Sequence, residues 1–183
     1  WDMASQKHAA MFAEADKVSA LSVQLCYYRG MGDFTALPWT RGADEIKHAL
    51  LSVRCLAGQT QIAKVLTHAL RETRTSKVNA LVFVGDCVEE NSDSLGALAG
   101  QLGILNLPLF IFQEGKNSNV NSIFSQLATL SGGAHCQLDQ GSAKHLGQLL
   151  AAVPVYAAGG KLALESNLLS KDASVRRLLQ QLK

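Results

Sequence analysis

Ala80-Leu81-Val82-Phe83-Val84, running into Gly85-Asp86, is the stretch that decides the fold. It is a short, unbroken apolar run, and Leu109-Phe110-Ile111-Phe112 is a second. Strands without polar alternation are covered on both faces, the situation of a parallel sheet flanked by helices. Amphipathic helices are spaced around the two runs. Ile62, Val65, Leu66, Ala69 and Leu70 fall at i, i+3, i+4, i+7 and i+8 before the first run, and Leu95, Leu98, Ala99 and Leu102 lie between the two. Val120, Ile123, Phe124, Leu127 and Ala128 follow the second. The spacing recurs at Ile46, Ala49, Leu50 and Val53, and again at Leu146, Leu149, Leu150 and Val153. Each set makes one apolar stripe that has to pack on a flat surface.

Further out, residues 21–28 alternate, with Leu21, Val23, Leu25 and Tyr27 on one face. Gly30-Met31-Gly32-Asp33 is a turn signal, which predicts a hairpin into a short strand at Phe34–Ala36. Gly132-Gly133 stops the helix before it, and a last strand is expected over His135–Leu138. Residues 3–18, rich in Ala and Met, read as an opening helix. The order predicts a three-layer α/β/α, doubly wound, mainly parallel sheet with one antiparallel edge strand. The run 80–84 is too apolar for an edge, because edges carry charge or Pro. It has 109–112 on one side and needs a neighbour on the other, so a central strand is expected upstream of Trp1. The expected domain spans 1–158. Beyond the Gly159-Gly160 break, 159–183 reads as an amphipathic helical tail packing on the same domain, since an exposed Leu stripe is an aggregation risk.

Composition is that of a globular chain: of 183 residues, 48% are hydrophobic and 17% charged. A net charge of +2 with scattered Lys and Arg does not suit a nucleic-acid partner. No apolar run has transmembrane length, and no signal peptide is visible. Cys26, Cys55, Cys87 and Cys136 form no C-x-x-C pair, which predicts isolated reduced thiols and a cytoplasmic setting. His8, His48, His68, His135 and His145 lack zinc-like spacing. P-loop, nucleophile elbow and dinucleotide fingerprint are all missing from the sequence.

Three features resemble a von Willebrand factor type A domain. Ala57-Gly58-Gln59-Thr60, followed directly by the helix Gln61–Thr73, is similar to that family's second metal motif. Leu81–Asp86, a strand ending in Asp, is similar to the third. Leu127-Ala128-Thr129-Leu130-Ser131-Gly132-Gly133 resembles the family's helix that closes on a Gly pair. The first motif, Asp-x-Ser-x-Ser at the end of the first strand, does not occur in this chain, and Asp86-Cys87 replaces the family's common Asp-Gly.

The resemblance implies a protein–protein interaction module binding another protein through the carboxyl edge of the sheet. It also implies a divalent cation (Mg²⁺, or Mn²⁺ or Ca²⁺) ligated by Thr60 and Asp86 and bridging to a partner's carboxylate. Such a hard cation takes about six oxygens. Two alternatives stand beside it. One is the same fold as a metal-free scaffold; the other is an enzyme, such as a phosphotransfer or hydrolase domain with Asp86 as acceptor. Read alone, Thr60 is equally well an N-cap, Asp86 a turn residue, and Glu89-Glu90 a solvated loop leading to Ser92 or Asp93 as the next N-cap.

Overall fold

A computed structural model describes residues 22–41, 43–53, 58–138, 143–167 and 171–182. The helix expected over 3–18, Cys55 and Ala57 lie outside the described residues, as do the side chains of Ile46, Leu50, His145, Leu146 and Leu150. The chain is α/β. Its hairpin joins β1 (Cys26–Arg29) to β2 (Asp33–Ala36) and is followed by α1 (Ala43–Ser52) and α2 (Ile62–Thr75). Then come β3 (Leu81–Gly85), α3 (Ser92–Ile104), β4 (Leu109–Gln113), α4 (Ser118–Ser131) and β5 (Ala134–Gln137). Helices α5 (Ala143–Ser166) and α6 (Ala173–Gln181) complete the order.

Strands β3, β4 and β5 form a parallel sheet in that order, with Leu81 opposite Leu109 and Phe110 opposite Ala134. The expected single sheet with an antiparallel edge differs from this arrangement. Strands β1 and β2 pair antiparallel with each other as a separate two-stranded sheet. Contacts to α2 hold the hairpin instead: the Phe34 ring lies 5.5 Å from that of His68, and Trp39 Nε1 donates to Glu72.

Alternation along the strands sorts side chains into two cores. Leu109 and Ile111 join Ile62, Leu66, Leu95, Leu102, Phe124 and Leu127 in a cluster with α2, α3 and α4. Phe110 and Phe112 point the other way and are buried with Leu149, Val153, Leu164, Val175 and Leu178 of α5 and α6. All five β4 residues are buried, so the continuous apolar run is explained by cover on both faces. Helix α5 loses helical geometry at Gly159 and Gly160, where the sequence signals a break.

Local polar groups fix the ends. The N-cap of α3 is Asn91, whose side chain accepts from Ser94 N–H, rather than Ser92 or Asp93. Asn117 caps α4 in the same way. Ser131 is buried at the end of α4; its Oγ accepts from Leu109 N–H and donates to Ala128 O. The outer edge of β5 is closed by Gln181 of α6, whose amide accepts from His135 N–H at 2.9 Å and donates to His135 O at 2.9 Å.

At the carboxyl end of β4 and β5, Gln113 is fully buried. Its Nε2 donates to Asn117 O, so its Oε1 accepts from His135 Nε2 at 3.0 Å, which makes Nε2 the protonated nitrogen. Burial pushes the His135 imidazole below its ordinary 6.5. The unfolded chain therefore takes up this proton more readily than the folded one, and stability falls as pH drops through about 6.5. Melting temperatures of wild type and His135→Gln measured from pH 8 to pH 5 are expected to diverge below that point, the variant losing less. Parallel curves contradict the assignment.

Candidate functional site

Three segments meet at the carboxyl edge of the parallel sheet: the turn after β1, the loop entering α2, and the loop leaving β3. The last, from Asp86 to Asn91, leads into α3. Helix α2 starts poorly on its own. Its N-cap is Gln61, with φ −133° and no side-chain capping bond, so the first N–H groups need another acceptor. Glu90 supplies it: its carboxylate accepts from Ile62 N–H at 2.6 Å and from Ala63 N–H at 2.8 Å. A carboxylate at a helix N-terminus is favoured by charge as well as by hydrogen bonding.

Glu89 and Thr60 make a reciprocal pair beside it. Thr60 N–H donates to Glu89 Oε2 at 2.8 Å, and Glu89 N–H donates to Thr60 Oγ1 at 3.1 Å. Thr60 thus does not cap α2; it ties the two loops together. The hairpin turn is fastened to the same place. Gly30 O accepts from Gln59 N–H at 3.3 Å, and Lys64 Nζ donates to Gly32 O at 2.7 Å. Gly58 is a glycine because a Cβ there would fall 2.0 Å from Gly30 O.

Asp86 is exposed and accepts no hydrogen bond from a described residue. Its charge still reaches Tyr28: burial above all, then Glu90, Asp86, Cys87 and Glu89, push the Tyr28 phenol up to about 12. Gln61 is buried with its Nε2 turned toward Arg29 O and Gly30 O, and its Oε1 has no partner among the described residues. The edge is therefore rich in oxygen and negative charge.

Of the two residues singled out from sequence, Thr60 is bonded to the loop that Asp86 begins, and no bond joins Thr60 to Asp86 among the described residues. Thr60 is bonded to Glu89, three residues along from Asp86. Their oxygens are hard donors of the kind Mg²⁺ takes, but one lone pair of Thr60 Oγ1 is already engaged by Glu89 N–H. Among the described residues no group of three His, Cys, Asp or Glu is placed to hold a metal ion. In kind the donors fit a hard cation; in number they fall short of its shell. Sequence reading took Glu89 and Glu90 for a solvated loop that could add charge near the site, and did not single out Tyr28. The available signal was Gln61, a residue type that caps poorly, directly before the apolar stripe of α2, in a chain that also carries two adjacent carboxylates after a strand.

No protein-family model matches the chain, and no curated protein matches it. No helix among the described residues is long and apolar enough to cross a membrane.

Proposed function

We propose that this chain is a protein-interaction module of von Willebrand factor type A form, in a three-layer arrangement, that binds its partner at the carboxyl edge of the parallel sheet. The observation that carries this reading is the double latch of Glu89 on Thr60 and Glu90 on Ile62 and Ala63, which ties two loops into one acidic rim. The carboxyl ends of parallel strands are where open α/β sheets bind ligands. The apolar clusters on the two faces of β4 are what a three-layer arrangement requires.

Within this reading a divalent cation such as Mg²⁺ would be held by Thr60 Oγ1 and Asp86 and would bridge to a carboxylate of the partner, with water and the partner completing its shell. Asp86 is the residue left free for that task. Calorimetric titration of the chain with Mn²⁺ is expected to give weak binding that Asp86→Ala abolishes and Cys87→Ala leaves unchanged. Binding that survives Asp86→Ala, or no binding by the wild type, sinks the cation. The second reading, a metal-free scaffold, is favoured by the engagement of Thr60 Oγ1 with Glu89 N–H, because the latch already ties together the loops a cation would join.

A further inference from the structure

The start of α2 leaves one polar atom unsatisfied. Its first backbone bonds run from Lys64 N–H at 3.2 Å and Val65 N–H at 3.3 Å to Gln61 O, so Gln61 stands at the N-cap position. Gln is a poor residue there, and it gives no capping bond. Only 6% of Gln61 is exposed, and its buried Oε1 has no partner among the described residues. A buried acceptor without a donor costs about 1–3 kcal/mol.

The residue before Gln61 is a good cap engaged elsewhere. An N-cap side chain accepts from the N–H of the second or third helical residue. Counted from Thr60 as the cap, those residues are Ile62 and Ala63, the two whose N–H groups Glu90 holds. Thr60 Oγ1 and the Glu90 carboxylate are thus alternative acceptors for the same donors. Glu89 keeps Thr60 from the helix: its N–H donates to Thr60 Oγ1 at 3.1 Å, and its carboxylate accepts from Thr60 N–H at 2.8 Å. Capping by Thr60 would make Gln61 the first helical residue. Its φ would then move from −133° to about −60°, and its amide would leave the present setting.

We propose that the start of α2 is a two-state element. In the latched state Glu90 caps the helix and Thr60 pairs with Glu89. In the second state Thr60 caps a helix longer by one residue, and the carboxylates of Glu89 and Glu90 are both released. A neutral hydroxyl holds backbone N–H groups less tightly than a carboxylate, so the latched state is favoured. The orphaned Gln61 oxygen narrows the gap between the two. The exchange turns two engaged carboxylates into free ones at the edge where Asp86 is already exposed. It needs no cation at Thr60 and Asp86, so it stands or falls apart from that reading.

Urea unfolding of the 183-residue chain in a chelating buffer tests this, with Thr60→Val and Glu89→Ala each made in wild type and in Glu90→Ala. Without Glu90 the helix falls back on the Thr60 hydroxyl. The factor by which Thr60→Val raises the unfolding constant is therefore expected to be roughly fivefold larger, or more, in Glu90→Ala than in wild type. Glu89→Ala is expected to move the other way, costing less in Glu90→Ala, because the second state has already released that carboxylate. Equal factors in both backgrounds mean that Thr60 never reaches the helix and overturn the proposal. Shifts in the same direction overturn it too, since they make the two latches parallel ties between loops. Glu90→Ala carries its own readout where a double variant does not fold. The Cα carbon shift of Gln61 is expected to move toward helical values, and one that stays at its wild-type value overturns the proposal.

Discussion

Gly133→Ala is expected to cost about 4 kcal/mol or more of stability. A Cβ at Gly133 would lie 2.1 Å from Leu109 O and 2.6 Å from Leu109 C. Both are backbone atoms of the first residue of β4, so no side-chain rotation relieves the overlap. Leu109 is also fixed from behind, because its N–H is held by the buried Ser131 Oγ. The adjacent Gly132 provides the control. Its φ is +76°, but nothing lies within 4 Å of its Cβ position, so Gly132→Ala pays only for the left-handed conformation, about 1–2 kcal/mol. Thermal or urea unfolding of the two variants separates the causes. If both lose the same modest amount, the close approach of Gly133 to β4 is wrong.

That glycine pair shows what the sequence could disclose. A helix stripe ending at Leu127-Ala128 and followed by two glycines announces a stop, and one of them does cap α4 in the left-handed region. What it cannot announce is the neighbour that forbids a Cβ at the other, since Leu109 is 24 residues away along the chain and meets Gly133 only through sheet pairing. The same division runs through the whole fold. Strands β3 and β4 were readable because burial on both faces leaves an unbroken apolar run. The helices were readable because one buried stripe leaves a 3.6-residue period. The place of the hairpin was not, because among the described residues β1 and β2 pair only with each other and are held by side-chain contacts with α2, such as Trp39 to Glu72 and His68 to Gln24.

At the site, Gly58, Thr60 and Asp86 stood out through local context, each at the end of a loop or strand. Glu89 and Glu90 did not, because a carboxylate in a loop reads as solvated until its acceptor geometry is known. Their partners, Thr60, Ile62 and Ala63, lie 27 to 29 residues upstream. The backbone N–H groups of a helix start are the same in every sequence, so nothing in the identity of Ile62 or Ala63 marks them as donors to Glu90.

Glu90→Ala is expected to cost about 2–3 kcal/mol, because it removes an ionised acceptor from two backbone donors at once. For a chain of this length that corresponds to a fall in melting temperature of roughly 4–12 °C. Glu90 is half-buried and its two bonds are short, at 2.6 and 2.8 Å, so water does not simply replace it. Gln61 gives no capping bond that takes over, its amide being turned to the hairpin carbonyls. Glu90→Gln keeps one acceptor oxygen and sets an NH₂ group against the other N–H, so it is expected to fall between Ala and wild type. Glu89→Ala, at an exposed position, is expected to cost only about 0.5–1.5 kcal/mol. Hydrogen exchange at Ile62 and Ala63 reports the latch directly and should accelerate in Glu90→Ala well before global unfolding. A Glu90→Ala protein that melts with wild type and keeps those amides protected would show that α2 starts without help from the loop after β3. The rim would then be two independent loops rather than one tied edge, and the carboxyl end of the sheet would lose the feature that recommends it as a binding surface.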